Sequence, residues 1–192
     1  MAPLILASSS LYRKSLLERL RLPFDTASPE IDERPIKDES PRATALRLAE
    51  LKARAIARIH PTAWVIGSDQ VAELNGVALG KPGSRDKAID QLQACSGKRV
   101  IFHTGLALAN PVTNRIVSLV EPYSVVFREL SVGQIKRYVD IDKPFDCAGS
   151  LKAESLGIAL LSAMEGNDPN ALIGLPMIQL VTLLTQAGFE AP

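Results

Sequence analysis

The chain has 192 residues, enough for one domain with a real core, and its 46% hydrophobic and 22% charged side chains are ordinary for a globular protein. Its 22 basic and 21 acidic residues leave a net charge of +1, which gives no bulk attraction for nucleic acid or for a membrane surface. Recognition of an anion must therefore be local. No stretch has the length of a membrane span, and the short apolar run Pro3 to Ala7 lacks the basic region of a secretion signal. Cys95 and Cys147 lie far apart without metal-binding spacing. Free thiols in a reducing cytoplasm are the expectation, with one disulfide left open.

Leu4 to Ala7 reads as a buried strand that ends in Ser8-Ser9-Ser10 and passes into an amphipathic helix reaching Leu20. Leu16, Leu17 and Leu20 share one helix face with Arg13 at its middle. A cation in the first turn opposes the positive end of the helix dipole. The placement makes sense if the strand-to-helix junction holds an anion with backbone N–H groups, serine hydroxyls and the guanidinium. The other readings are that Arg13 extends to solvent or pairs with a carboxylate.

Phe24 to Ala27 suits a short strand, followed by a polar loop through Ile31-Asp32-Glu33-Arg34-Pro35. A helix is expected from Pro41 to Ile59. Its polar face carries Arg47, Glu50, Arg54 and Arg58, and its apolar face Ala45, Leu48, Ala49, Ala55, Ile56 and Ile59, with Lys52 at the centre. Burying an unpaired ammonium costs several kcal/mol, so Lys52 requires either an interior carboxylate or a ligand.

Ala63 to Ser68 is a second buried-strand candidate that ends at Asp69-Gln70. That puts Asp69 beyond the carboxyl end of a strand, where open α/β sheets bind ligands. The carboxylate suits a metal ligand, a proton acceptor or a turn residue. Val71 to Leu74 and Val77 to Leu79 flank Asn75-Gly76, a two-residue hairpin signal. Lys81 extends from a Gly-Lys-Pro turn, and Ser84 is placed to cap a helix that Gly97 ends.

Three strands are expected next, Arg99 to Ala109, Arg115 to Val120 and Tyr123 to Phe127, separated at Asn110-Pro111 and Glu121-Pro122. Ser131 and Gln134 form a capping box for a helix to about Asp140. A loop from Lys143 to Glu154 precedes the apolar run Leu156 to Met164, and a last helix runs from near Pro176 to Gly188. Interleaved strands and helices around an antiparallel set imply an α/β fold with a mixed sheet.

Neither the P-loop signature nor Gly-x-Gly-x-x-Gly is present, and only His60 and His103 could serve a serine nucleophile. His60 sits at a helix end and His103 inside a strand, so acyl transfer is poorly supported. Arg13, Lys52 and Lys81 with Glu33 and Asp69 remain, a set suited to a metal–polyphosphate substrate.

With these residues in view, the chain resembles the Maf-type nucleoside triphosphate pyrophosphatases over nearly its whole length. The matching elements are Ala7-Ser8-Ser9-Ser10 through Arg13, Ile31-Asp32-Glu33, Leu48-Ala49 through Lys52-Ala53, and Gly67-Ser68-Asp69. They continue with Leu79-Gly80-Lys81-Pro82, Thr104-Gly105, Ala148-Gly149-Ser150 and Gly174-Leu175-Pro176. Each is short, and their order carries the match.

The resemblance implies one domain over 1–192, with an elongated mixed sheet, flanking helices and two lobes around a nucleotide cleft. It implies hydrolysis between the α- and β-phosphates with a divalent metal, magnesium, manganese or cobalt. Asp69 would accept the proton, Glu33 and Asp69 would hold the metal, Lys52 and Lys81 would act on the phosphates, and Ser8, Ser9 and Arg13 would bind substrate. A homodimer is a further expectation, with no nucleic-acid or membrane partner.

The sequence departs from the commoner pyrimidine-nucleotide branch, which typically has Pro-Arg-Arg at Leu11-Tyr12-Arg13, Thr at Gln70 and Gln at Glu154. Here it is similar to the branch acting on 7-methyl-GTP, as is Pro144-Phe145-Asp146-Cys147-Ala148-Gly149-Ser150. Methylation makes the guanine cationic, so the ring of Tyr12 gains a cation–π attraction of roughly 0.5–2 kcal/mol. Glu154 can accept hydrogen bonds from the base while offsetting its charge, and Gln70 can complete the polar contacts. The alternatives are activity on dTTP, UTP or unmodified GTP, or a nucleotide-binding regulator of septum formation without turnover.

Overall fold

The structure is a computed structural model that describes residues 2–113 and 115–190. The expected span 1–192 includes Met1, Asn114, Ala191 and Pro192, which lie outside the described residues. A seven-stranded mixed sheet runs through the molecule in the order β2-β1-β3-β5-β6-β7, with β4 paired to β3. Strand β1 (Leu4–Ala7) lies parallel to β2 (Asp25–Ala27) and β3 (Trp64–Leu74). The antiparallel part follows as β3, β4 (Val77–Leu79), β5 (Arg99–Ala109), β6 (Ile116–Phe127) and β7 (Leu161–Glu165).

Among the described residues six α-helices flank it: α1 (Leu11–Glu18), α2 (Pro41–Ile59), α3 (Arg85–Cys95), α4 (Val132–Asp142), α5 (Pro169–Ile173) and α6 (Met177–Gln186). The Asn75-Gly76 hairpin forms as the sequence expects, with Leu74 opposite Val77 and both turn residues at positive φ, 52° and 83°. The Ser131–Gln134 capping box is also in place at α4.

Two apolar cores sit on the same sheet face at opposite ends of β3 and β5. Ile66, Leu106 and Leu108 join Leu16, Leu17 and α6 in one, whereas Ala72, Leu74, Val100 and Phe102 join α3 and α4 in the other. Between them the face turns polar at Ser68, Gln70 and Thr104. These are the two lobes. On the opposite face α2 packs against Val65, Ala107 and Ala109.

Several expectations are corrected. Strand β3 does not stop at Ser68, because β5 pairs with it from Val65 to Glu73, so Asp69 and Gln70 are mid-strand. The runs 115–120 and 123–127 are one strand, with Pro122 inside it. Proline is tolerated on a strand edge, and β7 covers only Ser124 to Phe127 of β6, leaving the outer edge open at Pro122. Ser84 precedes α3 without a side-chain cap bond. Ile59 lies in the last turn of α2, past the sheet, and is 69% exposed. The short helix α5 is not among the expected elements, although Asp168-Pro169 is an N-cap followed by proline at the first helical position.

Candidate active site

The site forms where the edge of β3 is left without a strand. Strand β1 accompanies β3 only as far as the Ala7–Gly67 pair, and β4 joins it only from Ala72. Asp69 and Gln70 lie in the intervening gap, just beyond the carboxyl end of β1. Two adjoining cavities of about 540 and 380 Å³ open there, sharing Ser10, Tyr12, Arg13, Glu33, Lys52, Lys81 and Asp146 in their walls. Together they are lined by all ten site residues expected from sequence: Ser8, Ser9, Tyr12, Arg13, Glu33, Lys52, Asp69, Gln70, Lys81 and Glu154.

Small residues bring α2 onto the sheet. A Cβ on Gly67 would lie 2.1 Å from the Ala49 carbonyl oxygen, and one on Gly105 would lie 2.2 Å from that of Ala45. With Ala45, Ala49 and Ala53 facing these glycines, the helix backbone rests directly on the strands. Lys52 is thereby carried to the cleft floor, where its Nζ is 2.6 Å from Asp69 Oδ1 and 2.8 Å from Glu33 Oε1. The ammonium and Asp69 are buried while Glu33 stays half open to the cleft. Burial pushes the Glu33 carboxyl up, but the bond from Lys52 and the charges of Lys52, Lys81 and Arg13 outweigh it and hold Glu33 below the usual carboxylate range. Thus, before any ligand binds, Lys52 takes the interior-carboxylate option.

The serine turn engages two backbone donors at the mouth of α1 with its own hydroxyl oxygens. Ser8 Oγ accepts the Ser10 N–H at 3.1 Å, and Ser10, the N-cap, accepts from the Arg13 N–H. Arg13 is half-buried in the wall of both cavities and forms no ion pair with a carboxylate among the described residues. Its Nε donates to the Gly174 carbonyl at 2.8 Å, and its terminal nitrogens make no hydrogen bond among the described residues. Lys81 is exposed at the rim, likewise without an ion pair among the described residues, behind the buried Pro82.

The second cavity runs from Asp69 toward Tyr12, Gln70, Cys147 and Glu154. Tyr12 keeps its phenol proton, raised by burial and by the neighbouring Cys147 and Asp146. Gln70, expected to complete the polar contacts to the base, already has its amide nitrogen engaged within the fold. Its amide nitrogen donates to the Ala171 and Leu172 carbonyls at 2.8 and 3.0 Å and lies 3.1 Å from Thr104 Oγ1. Its carbonyl oxygen is what remains for a ligand.

Sequence reasoning missed Asp168, which is 1% exposed. Its Oδ1 accepts from the Asn170 backbone and side chain at 2.9 Å, and its Oδ2 accepts from the Ile178 N–H at 2.7 Å. It thus fixes α5 to α6 and with them Gly174, whose carbonyl also accepts from Ser68 Oγ at 3.0 Å. No group of three or more metal-ligating side chains occurs among the described residues. Asp69 and Glu33 meet on the Lys52 ammonium through one oxygen each; a second oxygen on each would suit magnesium, which keeps waters and substrate oxygens in its shell rather than a full protein cage.

The family model for Maf-like proteins matches residues 3–187. A 7-methyl-GTP pyrophosphatase of Methylobacillus flagellatus is 52% identical over 190 residues, which are 99% of each chain. One from Xanthomonas axonopodis pv. citri is 53% identical over the whole of both chains, and one from Aromatoleum aromaticum is 54% identical over 98% of this chain and 97% of its own.

Proposed function

The chain belongs to the Maf family, and we propose that it hydrolyses the α–β phosphoanhydride of 7-methyl-GTP to 7-methyl-GMP and pyrophosphate, clearing a modified nucleotide. The observation that carries this is one cleft with two chemistries. Arg13, Lys52, Lys81, Asp69 and Glu33, suited to phosphates, share its walls with Tyr12, Gln70 and Glu154, suited to the base.

Ser8, Ser9 and the mouth of α1 receive phosphate oxygens, and Arg13 and Lys81 neutralise them. Asp69 takes the proton of the attacking water, and Lys52 keeps its carboxylate in place. Glu33 and Asp69 are the residues that would hold a divalent cation, magnesium, manganese or cobalt. That ion supplies electrophilic neutralisation of the phosphates. Tyr12 stacks on the cationic base, Glu154 accepts its N–H groups, and the Gln70 carbonyl adds one acceptor. A single domain, a homodimeric assembly and a cytoplasmic location complete the proposal. The free thiols of Cys95 and Cys147 suit a reducing compartment, and among the described residues no helix is long and apolar enough to cross a membrane.

Pyrophosphate release from 7-methyl-GTP, GTP, dTTP and UTP, with each metal, tests it. The expected result is fastest turnover of 7-methyl-GTP, with Glu154→Gln eroding that preference. No release from any nucleotide removes the enzymatic reading, and equal rates on 7-methyl-GTP and dTTP remove the base preference.

A further inference from the structure

Two separate turns line the cleft, and one side chain bonds to both. The first, Gly80-Lys81-Pro82, carries Lys81. The second, Asp146 to Ser150, carries Asp146 and Cys147 and leads to Glu154. Gln91, half-buried on α3, donates from Nε2 to the Gly80 carbonyl at 3.0 Å and accepts from Ser150 Oγ at 2.6 Å. A carbonyl can only accept, so the amide nitrogen must face Gly80 and the amide oxygen must face the serine hydroxyl. One backbone bond, Gly83 N–H to the Phe145 carbonyl at 2.9 Å, runs alongside.

The second turn needs such a brace. Gly149 and Ser150 both adopt left-handed backbone conformations, with φ of 63° and 57°. For serine that is a strained state, which persists only where surrounding contacts enforce it. Two contacts do so: Gln91 on the Ser150 hydroxyl, and the buried Tyr138 hydroxyl, which donates to the Ser150 carbonyl at 3.1 Å. The Tyr138 oxygen also accepts the Lys152 N–H at 2.9 Å.

We infer that Gln91 is a positioning residue that holds the phosphate-side turn of Lys81 and the base-side turn of Asp146 to Ser150 in one frame. The inference rests on the proposed function for its kinetic meaning, but the bracing itself does not. Its two halves can be cut separately. Gln91→Glu keeps an acceptor for Ser150 and loses the donor to Gly80. Ser150→Ala keeps the Gly80 bond and frees the base-side turn. Gln91→Met removes both.

Small displacements remote from the reacting atoms lower rates by up to about 100-fold. Gln91→Glu is therefore expected to lower kcat/KM on 7-methyl-GTP and on GTP alike by about 10- to 100-fold, with their ratio preserved. Ser150→Ala is expected to lower the 7-methyl-GTP to GTP ratio by about tenfold, and Gln91→Met to do both. Backbone hydrogen exchange gives a readout free of turnover. Exchange should quicken in 79–83 for Gln91→Glu, in 147–152 for Ser150→Ala, and in both segments for Gln91→Met. If Gln91→Met leaves exchange in both segments unchanged, the brace is wrong, whether or not the wild type is active. If wild type releases no pyrophosphate while the exchange pattern appears, the proposed function falls and the brace stands. A uniform loss on every substrate with the ratio kept in all three variants, and no segment-specific exchange, also overturns it.

Discussion

Lys52 Nζ and Asp69 Oδ1 lie 2.6 Å apart with both side chains about nine-tenths buried, so the cleft floor is an ion pair before it is anything else. Such a pair is weak evidence for stability, because desolvation offsets much of the attraction. Its presence on a helix face otherwise made of alanine, leucine and isoleucine points to chemistry. In Asp69→Asn the amide oxygen can still accept from Lys52, so the fold should survive with little change in Tm. Pyrophosphate release should fall by about 10²- to 10⁴-fold, the range expected for loss of a general base. Thermal melting alongside a steady-state assay checks both parts. Near-native turnover would remove Asp69 from the role of proton acceptor.

The reach of Lys52 depends on how closely α2 approaches the sheet. A Cβ at position 67 would collide with the Ala49 carbonyl oxygen at 2.1 Å and the Ala53 nitrogen at 2.7 Å, both backbone atoms that cannot rotate away. Gly67→Ala should lower stability by about 1–3 kcal/mol, as overpacking does. Because the helix must lift, the folded fraction should also lose activity. Urea denaturation with activity normalised to folded protein separates the two effects, and an unaltered specific activity would contradict the role given to this contact.

Much of the cleft could be read in advance because its residues break local rules. Arg13 and Lys52 are cations on apolar helix faces, and each proves to line the same cavities. What could not be read were features set by distant partners. The extension of β3 past Asp69 depends on the length of its pairing with β5, which lies far along the chain. Gln70 gave no sign that its amide nitrogen would hold α5, because its acceptors, Ala171 and Leu172, are backbone carbonyls about a hundred residues away. Pro122 punctuates the sequence but not the strand, since only pairing decides whether a missing N–H matters.

Cys147 lines the second cavity, and its surroundings hold the thiol in its neutral form. Burial first, and then the adjacent Asp146 carboxylate, pushes its pKa up to about 12. A group raised in this way stays neutral as pH climbs through the range where ordinary cysteines ionise. Near pH 8 its thiolate fraction should be on the order of a thousandfold below that of a free cysteine. Iodoacetamide labelling of the folded protein should be correspondingly slow, accelerate with each added pH unit, and quicken in Asp146→Asn. Labelling at the rate of the unfolded chain would contradict the burial.

Asp168 touches none of the expected substrate-binding residues, but α5 and the start of α6 hang on it. Its two oxygens accept three N–H groups, two from Asn170 and one from Ile178. Replacement by Asn would turn a donor toward one of these N–H groups, and replacement by Ala would leave all three without this acceptor. Each lost bond to a charged acceptor is worth about 1.5–3 kcal/mol. Asp168→Ala should therefore be clearly destabilised, and Asp168→Asn should not restore it. The functional consequence passes through Gly174, whose carbonyl holds Arg13 and Ser68. In protein kept folded at low temperature, KM for 7-methyl-GTP should rise more than kcat falls, because the proposed function assigns Arg13 to the phosphates and not to the proton. A variant that melts early but binds nucleotide normally would show that Asp168 supports the fold without setting Arg13.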